Sequence, residues 1–217
     1  MFTRSEENYL KAIFHLEMDS TSGISTNAIA SKLDTKASSV TDMIKKLAEK
    51  DLLVYKKYQG VYLTELGKKI AAKVVRKHRL WEVFLVEKLD FSWDEVHDIA
   101  EQLEHIQSFK LIQQLDAFLG YPKTDPHGDP IPDEDGNFDN IEKRLLSSLK
   151  AGEFGICVGV DDSSSEFLKY LDKNKISLGK KIEVVSHEPF DGSLTIKVAS
   201  KQLSISHKIS TNIYIQS

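Results

Sequence analysis

Residues 120–140, GYPKTDPHGDPIPDEDGNFDN, divide the chain into two parts that obey different periodicities. Proline, glycine and aspartate are too dense there for helix or strand, so the stretch is loop. Before it, apolar residues recur at helical spacing; after it, short β-rich runs alternate with turns. Helices gathered on one side of a break and strands on the other pack as separate modules, not as an alternating α/β sheet. A length of 217 residues with 41% hydrophobic side chains supplies enough apolar surface for two to three small cores. The expected fold is therefore mostly α with a β carboxyl-terminal module.

Within the first part the pattern is specific. Thr3 and Glu6 form a capping box, and Tyr9, Leu10, Ile13, Phe14 and Leu16 give a helix from Arg4 to about Asp19. A short second helix fits Thr26 to Leu33. After the polar break DTKAS, a third runs from Ser38 to Lys50 with Val40, Met43, Ile44 and Leu47 inward. Two β-rich segments then flank Tyr58-Gln59-Gly60, which reads as a hairpin. Three helices and a hairpin in that order make a winged helix-turn-helix, whose third helix enters a DNA major groove. The outer face of that helix offers Ser38, Ser39, Thr41, Asp42, Lys45 and Lys46, with Lys36 before it and Thr26 at the head of the second helix. Lys56, Lys57 and Tyr58 arm the wing. Small hydroxyls suit base edges and lysines suit phosphates. Helix-turn-helix folds also dock proteins, but residues 1–80 carry 15 Lys+Arg against 9 Asp+Glu, and that basic excess favours nucleic acid.

A long helix follows from Thr64 through KKIAAKVVRKHRLWEVFLVEKL. Its apolar residues cover more than one face, as in a helix packed on its own domain and on a second copy. Ser92 with Glu95 reads as another capping box, opening a helix expected to carry His97 to His105. A last helix spans about Ser108 to Leu119. His78 and Glu82 lie one turn apart, and His97, Glu101, Glu104 and His105 fall at i, i+4, i+7 and i+8. Imidazole nitrogen and carboxylate oxygen converging from adjacent helices make a divalent transition-metal site. A solvated charge stripe would use the same letters; two His-rich faces so close in sequence favour metal. In the loop, Asp125 and His127 are accounted for equally well by turn chemistry.

Beyond the loop, FGICVGV (154–160), KKIEVVSH (180–187), SLTIKVAS (193–200) and IYIQ (213–216) are strands, with a helix around Glu166 to Asp172. They make a small β-barrel. Asp161, Asp162 and Glu166 read on their own as turn and cap residues. Cys157 is the only cysteine, which excludes an internal disulfide framework and any cysteine-cluster zinc site. With neither an 18-residue apolar run nor a signal-peptide pattern, the expectation is a cytoplasmic protein without membrane association.

The motifs KHRLWEVFL, VHDIAEQLEHI and PKTDPHGDPIP, in this order behind a winged helix, resemble the diphtheria toxin repressor family. The likeness is greatest to its manganese-sensing branch with a carboxyl-terminal SH3-like barrel, and it covers essentially the whole chain. It implies a homodimeric, metal-activated repressor, not an enzyme, that binds operator DNA and controls metal-uptake and homeostasis genes. A symmetric dimer of this kind places two reading heads on major grooves about 34–36 Å apart. It implies domains at 1–72 (winged helix-turn-helix), 73–140 (helical metal-binding and dimerisation, with the loop as tether) and 141–217 (barrel). The activating site then takes Asn8, Glu101, Glu104 and His105, joined by His78. An ancillary site takes His78, Glu82 and His97. The loop motif brings Asp125 and His127 beside Glu82, with Asp162, or alternatively Glu166, from the barrel. Up to two or three ions per subunit follow.

Two positions depart from the family pattern. Relatives carry Asp or Met where this chain has Asn8, and some manganese regulators carry an acid where it has Lys11, which speaks against a two-metal cluster of that type. Glu101, at a position often Cys, keeps the donor set hard and favours Mn(II), with Fe(II) next. Two rival functions remain at this level. One is a winged-helix regulator of a small organic ligand. The other is a metallohydrolase, for which the sequence offers neither nucleophile nor glycine-rich anion loop.

Overall fold

The computed structural model describes residues 2–18, 20, 22–139 and 142–216. The chain divides into two compact units: Met1–Trp81 with Glu101–Gln114 and Pro132–Phe138, and Glu82–Ala100 with Leu115–Ile131 and Asp139–Ser217.

In the first unit α1 (Arg4–Met18), α2 (Thr26–Lys32) and α3 (Ala37–Ala48) precede the hairpin β1 (Leu53–Lys56) and β2 (Gly60–Leu63). The capping box at the start of α1 forms as the sequence requires. Thr3 N–H donates to Glu6 Oε2 at 3.0 Å and Glu6 N–H to Thr3 Oγ1 at 3.3 Å. Ser25 caps α2 through Ala28 N–H at 3.1 Å. The hairpin pairs Leu53 with Leu63 and Lys56 with Gly60, and Ile24 exchanges two 2.9 Å backbone hydrogen bonds with Val61, so the segment before α2 is stitched to the wing. Leu10, Ile13, Ile29, Val40, Leu47, Leu52 and Val61 are all buried in one core. Each contributes about 1.5–3 kcal/mol relative to exposure. This is the winged helix-turn-helix expected from the periodicity.

One carboxylate is held inside that head. Glu6 is fully buried, 3.0 Å from Lys46 Nζ and 2.7 Å from Lys50 Nζ, so it ties α1 to α3. Burial by itself would raise its pKa, but Lys50, the Thr3 N–H and Lys46 outweigh it and bring it down to about 2. A depressed carboxylate adds stability above its unfolded value of 4.5 and loses it as pH falls toward 2. In an acid-unfolding titration, Glu6→Gln should therefore flatten the loss of stability between those two pH values while lowering stability at neutral pH. An unchanged acid limb would disprove the tie.

The long helix α4 (Glu65–Leu89) begins where Thr64 Oγ1 accepts Gly67 N–H at 3.0 Å. Then come α5 (Val96–Leu103) and α6 (Phe109–Phe118). The second helix is shorter than its periodicity suggests. Glu95 does reach back to Ser92 N–H at 3.3 Å, but regular helix starts at Val96, and it stops at Leu103 so that Glu104 and His105 lie in the following turn.

In the second unit the carboxyl-terminal module is a six-stranded antiparallel sheet in the order β3-β8-β4-β5-β6-β7. Its strands are β3 (Arg144–Leu145), β4 (Phe154–Val160), β5 (Lys181–His187), β6 (Leu194–Val198), β7 (Lys201–Ile205) and β8 (Ile213–Gln216). Two helices complete it, α7 (Ser165–Lys173) and α8 (His207–Ser210). Register shifts between Cys157 and Gly159 and between Val184 and Ser186 bend the two longest strands, as bulges do. Leu168, Leu171, Ile176, Ile182, Val184, Ile196, Ile213 and Ile215 fill the core. Cys157 belongs to it too, and burial pushes its thiol up to about 11, so it behaves as a small apolar side chain. Among the described residues, no helix is long and apolar enough to cross a membrane.

Candidate metal centre

Two buried imidazole–carboxylate clusters stand out, one in each unit. The first joins α1 to the turn after α5. Glu7, Asn8 and Lys11 share a face of α1 by their spacing, and from that face Glu7 reaches His105 while Lys11 reaches Glu101 and Glu104. His105 Nδ1 lies 2.6 Å from Glu7 Oε2, and Glu7 is held further by Gln107 Nε2 at 2.8 Å and Lys77 Nζ at 3.4 Å. Engagement of Nδ1 by a carboxylate fixes the ring and presents Nε2 inward, the arrangement that orients a metal-binding histidine. Glu104 is completely buried. Its Oε2 lies 2.6 Å from His78 Nδ1, and its carboxylate is 2.8 Å from Lys11 Nζ, which also reaches Glu101 Oε1 at 3.1 Å. Burial would raise the Glu104 pKa, but His78 and Lys11 hold it below the ordinary carboxylate value.

Three buried lone-pair atoms belong to these two segments: Asn8 Oδ1, without a hydrogen bond; Glu104 Oε1, 2.8 Å from the Lys11 ammonium; and His105 Nε2, without a hydrogen bond. The last two are 3.6 Å apart. A buried acceptor without a donor costs about 1–3 kcal/mol, so such groups call for a partner. A carbonyl oxygen, a carboxylate oxygen and an imidazole nitrogen, all lone-pair donors, fit a divalent cation.

The second cluster lies in the other unit. Ligand atoms of Glu82, Asp125 and His127 fall within 4.8 Å of one another, and all three residues are buried. His127 Nε2 is 2.9 Å from the Trp93 carbonyl, leaving Nδ1 toward Glu82 Oε2 at 3.8 Å and Asp125 Oδ1 at 4.0 Å. The indole of Trp93 stacks on its ring with centroids 6.2 Å apart. Burial would lower the His127 pKa, but Glu82, Asp125 and the Trp93 carbonyl more than reverse that and raise it to about 9. The ring therefore carries a proton at neutral pH and balances the carboxylates. Asp125 Oδ1 accepts from His127 N–H at 2.8 Å and Asp129 N–H at 3.0 Å, so the turn chemistry and the side-chain cluster coexist. His97 is half exposed and lies 3.5 Å from Glu82 Oε1.

Measured against the sequence, the sites differ in three respects. His97 pairs with Glu82 instead of sharing one helical arc with Glu101, Glu104 and His105, because α5 ends at Leu103 and the turn redirects the last two. Asp162 accepts Ser164 N–H at 2.8 Å ahead of α7, and Glu166 is exposed; among the described residues the buried group around His127 is Glu82, Asp125 and His127. Glu7 was missed. Its signal was present in the spacing, since Glu7, Leu10 and Phe14 fall on one face, which puts a carboxylate on an inward-facing stripe.

The candidate DNA face is open. Lys36, Ser38, Ser39, Thr41, Asp42, Lys45 and Lys46 are exposed along α3 and its lead-in, with Thr26 half-buried. Lys45 pairs with Asp42 at 3.6 Å, and Lys46 is engaged by Glu6. At the wing Tyr58 is 92% exposed, Lys57 Nζ lies 5.0 Å from its ring centroid and Lys56 Nζ 5.1 Å from that of Tyr62.

A winged helix whose first helix contributes to a buried His/Glu cluster defines the class of metal-responsive DNA-binding regulators. Comparison with known proteins gives the family. Residues 1–61 match the iron dependent repressor N-terminal DNA binding domain, 64–133 the iron dependent repressor metal binding and dimerisation domain, and 144–217 the FeoA domain. The HTH-type transcriptional regulator MntR of Oceanobacillus iheyensis is 38% identical over 125 residues, 58% of this chain and 84% of that one. The iron-dependent repressor IdeR of Mycobacterium tuberculosis is 35% identical over 126 residues, 58% of this chain, and the match spans 54% of its length. A solved manganese-dependent transcriptional repressor in complex with manganese superposes with a TM-score of 0.86 at 35% identity, covering 98% of this chain and 99% of that one. The chain belongs to the iron-dependent (diphtheria toxin) repressor family, whose members are metal-dependent transcriptional repressors and not enzymes.

Proposed function

We propose that this chain is a homodimeric repressor that binds operator DNA when a divalent metal ion, Mn(II) ahead of Fe(II), is bound, and that it controls genes of metal uptake and homeostasis. The observation that carries the reading is the trio of buried lone-pair atoms Asn8 Oδ1, Glu104 Oε1 and His105 Nε2, the first and last of which make no hydrogen bond. They connect α1 of the DNA-reading head to the residues after α5. Asn8, Glu104 and His105, with His78 and Glu101 beside them, are the activating ligands, and Glu7 orients His105. Glu82, Asp125 and His127, with His97 next to them, form the ancillary site. Oxygen donors outnumber nitrogen, and cysteine takes no part, so the set suits a hard divalent cation.

An ion there supplies positive charge that the carboxylates can share. Asn8, Glu104 and His105 would hold that ion jointly, which would restrain α1 and, through the common core, the exposed face of α3. In a two-headed dimer that restraint lowers the ordering cost of gripping two successive grooves. Thr26, Lys36, Ser38, Ser39, Thr41, Asp42 and Lys45 read the duplex, while Lys46 contributes charge from its tie to Glu6. Lys56, Lys57 and Tyr58 hold the flanking backbone. The test is a titration of a duplex, selected by the protein from a random pool, with Mn(II) or with chelator. Couplings of this kind are about 5–150-fold. Equal affinity in both arms rejects metal control.

A further inference from the structure

The first cluster already holds a cation of the chain's own. Lys11 stands four residues after Glu7 and three after Asn8 on α1, so its stem rises over the same face. Its ammonium lies 3.1 Å from Glu101 Oε1 and 2.8 Å from the Glu104 carboxylate, and its side chain is only 12% exposed. A buried ammonium is costly unless carboxylates compensate it, and the converse holds for the wholly buried Glu104. With Lys77 at 3.4 Å from Glu7, two ammonium groups face the three carboxylates Glu7, Glu101 and Glu104. The cluster's own side chains thus nearly balance its charge.

We infer that Lys11 is a tethered counter-cation that competes with the divalent ion for Glu101 and Glu104, and so sets the ion concentration at which the protein responds. The inference rests on the reading of this cluster as the activating site. Glu104 cannot give its charge fully to an incoming ion and to an ammonium 2.8 Å away. Like charges would be forced together, so the lysine must withdraw or the ion must bind more weakly. A four-carbon stem with rotatable bonds can withdraw; a planar, always-charged guanidinium held by two carboxylates would do so less readily. The lysine therefore steadies the metal-free head and keeps the activating site closed to trace ions.

The experiment measures Mn(II) binding directly, from the electron paramagnetic resonance signal of free Mn(II), on full-length protein carrying His127→Ala so that the first cluster is read alone. In this background Lys11→Met should tighten Mn(II) binding by about tenfold or more, since one displaced charge interaction of ordinary size is worth that much. The same change should lower the melting temperature of the metal-free protein, and saturating Mn(II) should restore it. Lys11→Arg should weaken Mn(II) binding below that of the lysine parent, and this arm stands even if the Met variant fails to fold. Unchanged or weaker binding in Lys11→Met, or unchanged or tighter binding in Lys11→Arg, overturns the inference. His105→Ala in the same background separates the two levels: if it loses Mn(II) while the Lys11 variants do not shift, the competition alone is wrong. If His105→Ala leaves binding intact, the assignment of the site fails and the inference with it.

Discussion

Glu104→Gln is expected to disconnect DNA binding from metal while leaving the fold in place. Glu104 has no exposed surface, and its two oxygens serve three different neighbours. One is 2.6 Å from His78 Nδ1, the other faces His105 Nε2 at 3.6 Å, and the carboxylate is 2.8 Å from Lys11. The lowered pKa keeps it ionised across the physiological range. Glutamine preserves volume and one acceptor but removes the charge that an ion requires. Loss of a residue that merely orients a ligand costs about 10–100-fold in metal affinity, so loss of a ligand should cost at least that much. At a Mn(II) concentration that just saturates the parent, the duplex affinity should then fall toward the value measured with chelator. Glu104→Ala should behave the same toward DNA but also destabilise the protein by about 3–5 kcal/mol, because it strips Lys11 and His78 of a buried partner. A Gln variant that still shows the parent's Mn(II) midpoint in the DNA assay would remove Glu104 from the ligand set.

Much of this architecture is written locally in the chain. Thr3 and Glu6 announce the first helix and bond as the capping box demands, and Tyr58-Gln59-Gly60 marks the wing. Patterns of that kind act within a few residues, so a linear reading captures them. The imidazole–carboxylate clusters are legible as composition but not as geometry. The helical arc from His97 to His105 presumes that the helix continues, and no strong signal before Gln107 announces that it ends at Leu103. Lys11 finds Glu101 and Glu104 about ninety residues away, a pairing that only the packed core determines. Strand β7 leaves no mark in the sequence for another reason. Of Lys201–Ile205 only Ile205 is fully buried, as befits an edge strand that presents polar side chains to water and leaves no apolar alternation to read.

The ancillary cluster should prove to depend on one glycine. Gly128, whose N–H closes the turn on the Asp125 carbonyl at 3.1 Å, has φ +88°, and a Cβ there would lie 2.0 Å from the Val158 carbonyl oxygen and 2.4 Å from Gly159 Cα. The loop rests on β4 at that point, where Val160 N–H donates to the His127 carbonyl at 2.9 Å. Gly128→Ala therefore meets two costs: a left-handed backbone, about 1–2 kcal/mol, and an overlap with backbone that cannot rotate aside, about 1–3 kcal/mol. A loss near 3 kcal/mol corresponds to a melting temperature lower by about 6–12 °C for a chain of this size. Relief of the overlap must lift the turn off the strand and carry His127 away from Glu82. The number of Mn(II) ions bound should then drop by one while the first cluster keeps its affinity. His127→Ala is the comparator, since it should remove the same ion with a smaller thermal penalty. If Gly128→Ala retains the parent's stoichiometry and melting temperature, the sheet module does not support the ancillary site, and its contact with the loop has no part in metal binding.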